Sequence, residues 1–89
     1  MAHHKSAEKR ARQALKRQAR NRSVLRRTRT VVKELRESIA SGDAATASER
    51  LKLAERELRK AAGKGVVPRR RADRSVSRLA KAVHKLGVR

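Results

Sequence analysis

The sequence predicts an all-α protein, a three-helix up-down-up bundle with an overlong basic N-terminal helix. Apolar residues recur at steps of three and four along the chain, which is the spacing of one helix face, and the period-two alternation of strands is absent. Glycine and proline interrupt this pattern at two internal places. Because 89 residues leave room for one domain, we expect 1–89 to fold as a single unit with helices near 6–41, 44–62 and 69–86.

The first predicted helix is about twice as long as the others, and only its second half carries an apolar stripe, formed by Leu25, Thr28, Val32, Leu35 and Ile39. Its first half offers Leu15 and four alanines, which bury little. Like charges stand four residues apart at Lys5–Lys9 and Arg12–Lys16, and such pairs destabilise an isolated helix. We therefore expect 1–22 to be a basic helical extension that is ordered by a polyanion, beside a three-helix bundle of 23–89.

The second and third predicted helices carry similar stripes, formed by Ala47, Leu51, Ala54, Leu58 and Ala61 and by Ala72, Val76, Leu79, Val83 and Leu86. Gly42 suits the left-handed residue that ends a helix, and Asp43 suits the N-cap of the next. Gly63 and Gly65 end the second helix, and Pro68 fits the first turn of the third. The connections are short, so each helix folds back on the one before it.

The charge is concentrated at the two ends of the chain. The sequence has 27 Lys and Arg against 8 Asp and Glu, a net charge of +19. Residues 1–33 carry +11 and residues 58–89 carry +10, whereas residues 34–57 carry −2. Solubility alone does not require this asymmetry, and self-repulsion at this density destabilises a compact state. We therefore expect a polyanionic partner that contacts both basic ends.

Several classes of function are excluded. The absence of cysteine excludes disulfides, thiolate zinc sites and a catalytic thiol, and no uncharged stretch approaches the length of a membrane span. His3 and His4 are remote from His84, so no metal-binding spacing exists. The acids form no catalytic pair, and no glycine-rich loop follows a strand. We expect no enzyme activity, no cofactor, no metal and no membrane partner.

The residue types indicate which polyanion binds. Arginine outnumbers lysine 18 to 9, which suits bidentate phosphate contacts, and without aromatic side chains no platform exists for stacking single-stranded bases. Recognition must then use shape, phosphate geometry and 2′-hydroxyls, as in RNA binding. The alternative is an architectural or compacting DNA-binding protein, but the chain lacks the apolar wedges of minor-groove benders. It also lacks a hydrophobic dimer seam, so no homo-oligomer is expected.

The candidate RNA-binding residues fall on two helices. On the first helix, one face carries Lys5, Lys9, Arg12, Lys16 and Arg20, an adjoining one carries Arg10 and Arg17, and the ribbon continues through Arg22, Arg26, Arg29 and Lys33. Polar contacts of low specificity are expected from Ser6, Asn21, Ser23 and Thr28. The basic residues of the third helix are Arg69, Arg70, Arg71, Arg74, Arg78, Lys81 and Lys85.

An ordered set of motifs spans about 5–86: Lys5-Ser6-Ala7, Lys9-Arg10, Arg12, Arg17, Arg20-Asn21, Arg29-Thr30, Lys33, Gly42-Asp43-Ala44, Ala61-Ala62, Lys64-Gly65-Val66-Val67, Ala72, Arg74 and Ser77-Arg78-Leu79. In these motifs the chain resembles the family of bacterial small ribosomal subunit protein number twenty. The resemblance implies a three-helix protein that binds 16S rRNA directly and supports its folding and assembly. Such a protein is cytoplasmic and ribosome-bound, and its other partners are small-subunit components.

The resemblance also implies a set of rRNA contacts, namely Lys5, Ser6, Lys9, Arg10, Arg12, Arg17, Arg20, Asn21, Arg29, Lys64, Arg74 and Arg78. The chain departs from the family at Pro68-Arg69-Arg70, where a run resembling His-Lys-Asn is usual. Phosphate contact by arginine is the expected substitute there.

Overall fold

The structure, a computed structural model, describes the backbone of residues 2–87 and the side chains of residues 5–87. Three helices form within this part: α1 (Ala2–Ser41), α2 (Ala44–Gly63) and α3 (Arg69–Gly87). No strand occurs among residues 2–87, so the predicted all-α class is confirmed, with helix limits within a few residues of those expected. Residues 1 and 88–89 of the predicted domain, and the side chains of the two histidines dismissed as metal ligands near the N-terminus, lie outside the described residues.

Helix α1 sets the long dimension of the molecule. It has 40 residues, against 20 in α2 and 19 in α3. At 1.5 Å per residue it is about 60 Å long, and the molecule measures 69 × 20 × 14 Å. All residues from 5 to 20 are exposed, so the first half of α1 extends beyond the packed part of the bundle. The predicted overlong first helix is confirmed.

Helix α1 ends in a glycine-dependent turn, as predicted. Gly42 has φ 78°, in the left-handed region that glycine enters without a steric penalty. Its N–H donates to the Ile39 carbonyl at 3.1 Å, and the Asp43 N–H donates to the Ser38 carbonyl at 3.3 Å. This pair of bonds is the Schellman arrangement, which satisfies carbonyls that the helix leaves without partners. The end of α2 repeats it at Gly65, with φ 77°.

The predicted N-cap of α2 is also present. Asp43 Oδ1 accepts a hydrogen bond from the Thr46 N–H at 3.2 Å, and Oδ2 accepts one from the Thr46 hydroxyl at 2.6 Å. The hydroxyl bond above all, together with the backbone bond, lowers the pKa of Asp43. Pro68 lies one position before α3 rather than inside its first turn, and its carbonyl accepts from the Ala72 N–H at 3.0 Å. Because N–H groups at the start of a helix have no acceptor within it, the missing N–H of Pro68 removes no hydrogen bond from α3.

The core lies along α2, which packs against both other helices, whereas α1 and α3 touch each other little. Leu35 of α1 is completely buried, and no other large side chain among the described residues is enclosed to that degree. The remaining core residues are small or branched aliphatics: Val31, Ala47, Ala54, Leu58, Ala72, Leu79 and Val83. Alanine at three of these positions lets the helix backbones approach closely, although each alanine buries little area.

The buried stripe of α1 is rotated from the one that the sequence predicts. Thr28 and Leu35 are buried as expected, but Val32 and Ile39 are only partly buried, and Val31 and Ser38 are buried in their place. Since α2 supplies nearly all of the packing on α1, the stripe that faces α2 is the one enclosed. The stripe through Val32 and Ile39 faces α3 and stays half open.

The two buried hydroxyls have hydrogen-bond partners in the preceding turn of α1. Thr28 Oγ1 donates to the Val24 carbonyl at 2.9 Å, and Ser38 Oγ donates to the Glu34 carbonyl at 3.1 Å. A buried hydroxyl without a partner would be costly, and within residues 5–87 no buried side-chain oxygen or nitrogen lacks one. These bonds allow polar residues to stand in an otherwise apolar seam.

Candidate nucleic-acid interface

The most exposed basic surface is the first part of α1, residues 5–20, here called the basic arm. It carries seven Lys or Arg and one acid, and every residue in it is exposed. Sixteen residues span about 24 Å at 1.5 Å each, so positive charges occur about every 3.4 Å. Phosphates along one strand of a B-form duplex have about the same axial spacing. The arm therefore matches the linear charge density of a nucleic-acid strand.

The structure places the predicted arm residues on this surface. The exposed ones are Lys5, Ser6, Lys9, Arg10, Arg12, Lys16, Arg17 and Arg20. Asn21, at the base of the arm, is half-buried, and Leu15 is 66% exposed although it is apolar. A partner that covers the arm would therefore cover an aliphatic side chain as well as charges.

Basic residues continue along α1 beside the bundle. Arg22, Arg26 and Arg29 are exposed and, together with Leu25 and Lys33, line a shallow concavity of about 320 Å³. By contrast Thr28, an expected polar contact, is buried, and its hydroxyl donates to the Val24 carbonyl of its own helix. The burial and this internal hydrogen bond argue against a contact between Thr28 and the RNA.

The second basic surface is formed by the start of α3 and the connection before it. Arg69, Arg70, Arg71, Arg74 and Arg78 are exposed within the first three turns of α3. Lys64, at the C-cap of α2, is also exposed, and its N–H donates to the Lys60 carbonyl at 3.0 Å. These residues lie beside the bundle, so the arm and the start of α3 form two surfaces rather than one patch.

One cleft brings predicted residues of both helices together. We call it the α1–α3 groove. Its lining includes Arg29 of α1 and Arg71 of α3 in one part, of about 580 Å³, and Arg78 in an adjoining part of about 310 Å³. Arg36 also lines both parts, although it belongs to the nearly neutral segment 34–57 and is not among the predicted RNA contacts. The missed signal is spacing, because Arg29, Lys33 and Arg36 follow one another at steps of four and three on one helix face.

The positive charge of these basic surfaces is not neutralised by ion pairs within the described residues. Among residues 5–87 there are two ion pairs: Arg50–Glu34 at 3.4 Å, which joins α2 to α1, and Arg59–Glu55 at 2.8 Å within α2. Both involve α2, and both are too exposed to stabilise the fold strongly. Within the described residues, the cations of the arm, the groove and the start of α3 therefore have no carboxylate at ion-pair distance.

The described part of the chain offers little for other kinds of site. No group of three or more histidines and acids within it is arranged to hold a metal ion. None of its helices combines the length and the apolar character needed to cross a bilayer. What the arrangement presents is a dense positive surface for binding an extended anion.

Comparisons with known proteins agree over nearly the whole chain. The family model described as ribosomal protein S20 matches residues 2–84. The chain is 49% identical over 88 residues to small ribosomal subunit protein bS20 of Wolinella succinogenes, covering 99% of this chain and 97% of the relative. The corresponding protein of Helicobacter pylori is 47% identical over 88 residues, covering 99% of both chains. That of Anaeromyxobacter dehalogenans is 55% identical over 85 residues, covering 96% of this chain and 92% of the relative.

Proposed function

Since this chain belongs to the ribosomal protein S20 family, we propose that it binds 16S rRNA directly and supports the folding and assembly of that RNA. Family membership makes it a structural component of the small ribosomal subunit rather than an enzyme, bound to the ribosome in the cytoplasm. The resemblance seen in the sequence is thereby confirmed, and the alternative of a DNA-compacting protein is not what the relatives' names describe.

The observation that carries the proposal is the basic arm. Its charge spacing matches that of a nucleic-acid strand, and its side chains have no other described element to contact. Burying such a helix against protein would require many acids on the partner, whereas an RNA backbone supplies one negative charge per nucleotide. The exposed arginines at the start of α3 offer a second surface for contact with RNA phosphates.

The residues proposed to contact rRNA are those of the arm, its continuation along α1, and the start of α3 with the connection before it: Lys5, Ser6, Lys9, Arg10, Arg12, Lys16, Arg17, Arg20, Asn21, Arg22, Arg26, Arg29, Lys64, Arg69, Arg70, Arg71, Arg74 and Arg78. Most are arginines, whose planar guanidinium groups hold two phosphate oxygens at once. Because the chain has no aromatic ring for base stacking, the proposed readout is of phosphate positions and RNA shape.

The proposed partners are rRNA and other small-subunit components, with no second copy of this chain. Among the described residues, the large apolar side chains left exposed are Leu15 on the arm and Leu53 on α2. They lie on different helices, and two single exposed side chains do not amount to the large apolar patch that marks stable dimers. A monomer on RNA is the state that this surface favours.

The domain organisation is proposed to be a bundle of 23–89 and a helical extension of 1–22 that RNA orders. In support, residues 5–20 make no buried contacts, so only backbone hydrogen bonds hold that helix, and short helices of this kind are marginal in water. Hydrogen exchange tests the proposal: amides of 5–20 should exchange fast in the free protein and slowly in the complex. Equal protection in both states would contradict ordering by RNA.

The direct test of rRNA binding compares two triple variants that each remove three charges at steps of four. Replacing Arg12, Lys16 and Arg20 by alanine alters the arm, whereas replacing Lys52, Arg56 and Lys60 alters exposed positions of α2. Affinity for a 16S rRNA transcript is measured from low to high salt. Each lost phosphate contact reduces the slope of log K against log salt by about 0.7–0.9, so the arm variant should lose about 2–3 in slope.

The α2 variant is the matched control, since it loses the same net charge from a surface that is not proposed to bind. It should keep the wild-type slope. If both variants lose equal slope, binding follows net charge and the arm has no special role. If the wild-type chain shows no preference for 16S rRNA over duplex DNA of equal length, direct and selective rRNA binding is overturned.

A further inference from the structure

The α1–α3 groove exists because the bundle is not fully closed. Helix α3 packs on α2 and touches α1 little, so apolar side chains of α1 and α3 that face each other are not enclosed. Val32 and Ile39 of α1 and Ala82 of α3 line this cleft and are only half-buried. Ser75 lies between its two parts. The floor of the groove is therefore mainly aliphatic and accessible.

Cations stand along both edges of this floor. Arg29, Lys33 and Arg36 come from α1, and Arg71 and Arg78 come from α3. All five are exposed, and none has an ion-pair partner among residues 5–87. One acid, Glu37, lines the same cleft. Five positive charges facing each other across an aliphatic floor repel one another, so an anion between them would stabilise the arrangement.

An RNA backbone strand fits this cleft better than an acidic protein segment. It alternates a sugar, whose carbon face packs on aliphatic side chains, with phosphates that two rows of arginine and lysine can hold. The cationic edge also continues along α1 to Arg26 and Arg22, as a long, regularly charged polymer requires. A protein segment would need carboxylates at matching intervals on both of its sides.

We propose that the α1–α3 groove clamps one sugar–phosphate strand of the RNA, with sugars on the floor formed by Val32, Ile39 and Ala82 and phosphates held between Arg36 of α1 and Arg71 of α3. The proposal rests on the proposed rRNA binding and adds a location and a residue, Arg36, to it. A strand held in this way joins the two helices that the protein itself leaves nearly unconnected, so RNA would complete the bundle on its open side.

The first test removes the two central charges with little change of shape. The double variant Arg36→Gln and Arg71→Gln is compared with Lys52→Gln and Arg56→Gln on α2, which lose the same charge. Charge-assisted contacts are worth about tenfold or more each, so the groove variant should bind 16S rRNA about 100-fold more weakly, with a salt slope smaller by about 1.4–1.8. The α2 variant should bind as the wild type does.

The outcomes separate this proposal from the one on which it rests. If the groove variant binds like the α2 variant while the arm variant is weakened, the clamp is wrong and rRNA binding stands. If the wild-type chain does not bind 16S rRNA selectively, the proposed function fails first. Circular dichroism of each variant shows whether the helices are retained, so that loss of folding is not read as loss of contact.

The second test locates the RNA without altering any charge. Because the chain has no cysteine, Ser75→Cys places one thiol in the groove, and Ser48→Cys places one on the exposed side of α2. An iron chelate attached to each thiol cleaves nearby RNA with hydroxyl radicals. Strong cuts confined to a few nucleotides of one strand are expected from position 75, with weak cuts from position 48. Equal cleavage from both, or a protein rather than RNA seated over position 75 in reconstituted subunits, would refute the clamp.

Discussion

Replacing Leu35 by alanine should unfold much of the free bundle. Leu35 has no exposed surface, and truncating a buried leucine costs about 2.7–5.0 kcal/mol, rising with the volume of the cavity left behind. Several neighbours in the core are alanines, such as Ala47 and Ala54, which have no side-chain length with which to fill that cavity. We therefore expect a loss of about 3–5 kcal/mol.

That loss is comparable to the whole stability of such a bundle, because a core of this size supplies about 3–5 kcal/mol. The assay is urea unfolding of the free protein, followed by helical circular dichroism. The matched control is Leu53→Ala, since Leu53 is 42% exposed and the same truncation there should change stability by about 0.5 kcal/mol. Saturating rRNA at about 100 times its Kd should restore about 2.7 kcal/mol by linkage.

The reasoning fails if Leu35→Ala and Leu53→Ala unfold at the same urea concentration. Such a result would mean that α1 does not pack on α2 through the seam described, or that the free protein lacks a fixed core. A cooperative transition for the wild type with an early, broad transition for Leu35→Ala alone would support the seam.

Two further predictions concern the turn between α1 and α2. Asp43→Ala should destabilise the bundle at neutral pH. The Thr46 hydroxyl and N–H lower the pKa of Asp43 from its ordinary value of 3.8. The wild-type cap therefore stabilises the fold above that ordinary value, and its contribution is lost as the pH falls through the lowered pKa. The urea midpoints of the wild type and the variant should therefore differ at pH 7 and lie closer together at pH 2. A difference that is the same at both pH values would contradict the cap. Gly42→Ala should cost about 1–2 kcal/mol because its φ is +78°, whereas Gly63→Ala, in helical backbone with open space at Cβ, should be neutral or stabilising by up to about 1 kcal/mol; equal thermal shifts for both would exclude the left-handed turn.

The helix ends could be predicted from the sequence because the interactions that form them are local. The Schellman bonds at Gly42 span three and five residues, and the cap joins Asp43 to Thr46. Residue types at fixed short offsets are sufficient to indicate such features. The same holds for the exposed arm, since a segment with Leu15 as its single large aliphatic cannot enter a core.

The identity of the buried stripe on α1 could not be predicted in the same way. Stripes through Val31 and through Val32 both satisfy helical spacing, and hydrophobicity alone favours Val32 and Ile39 over a stripe that contains Ser38. The Ser38 hydroxyl can be buried at little cost because it donates a hydrogen bond to the Glu34 carbonyl. Which stripe faces a neighbour depends on where α2 lies, and spacing within α1 carries no information on that.

The sequence by itself determined three helices, their ends, the excess of length in the first and the two basic ends of the chain, because each of these is local or a count of residues. Only the tertiary structure decided that α3 packs on α2 and makes few contacts with α1. That placement, made by contacts between residues far apart in the chain, opens the groove that Arg36 and Arg71 both line. The charge along the chain predicts a polyanionic partner, whereas the relative positions of the helices decide which charged side chains lie close together.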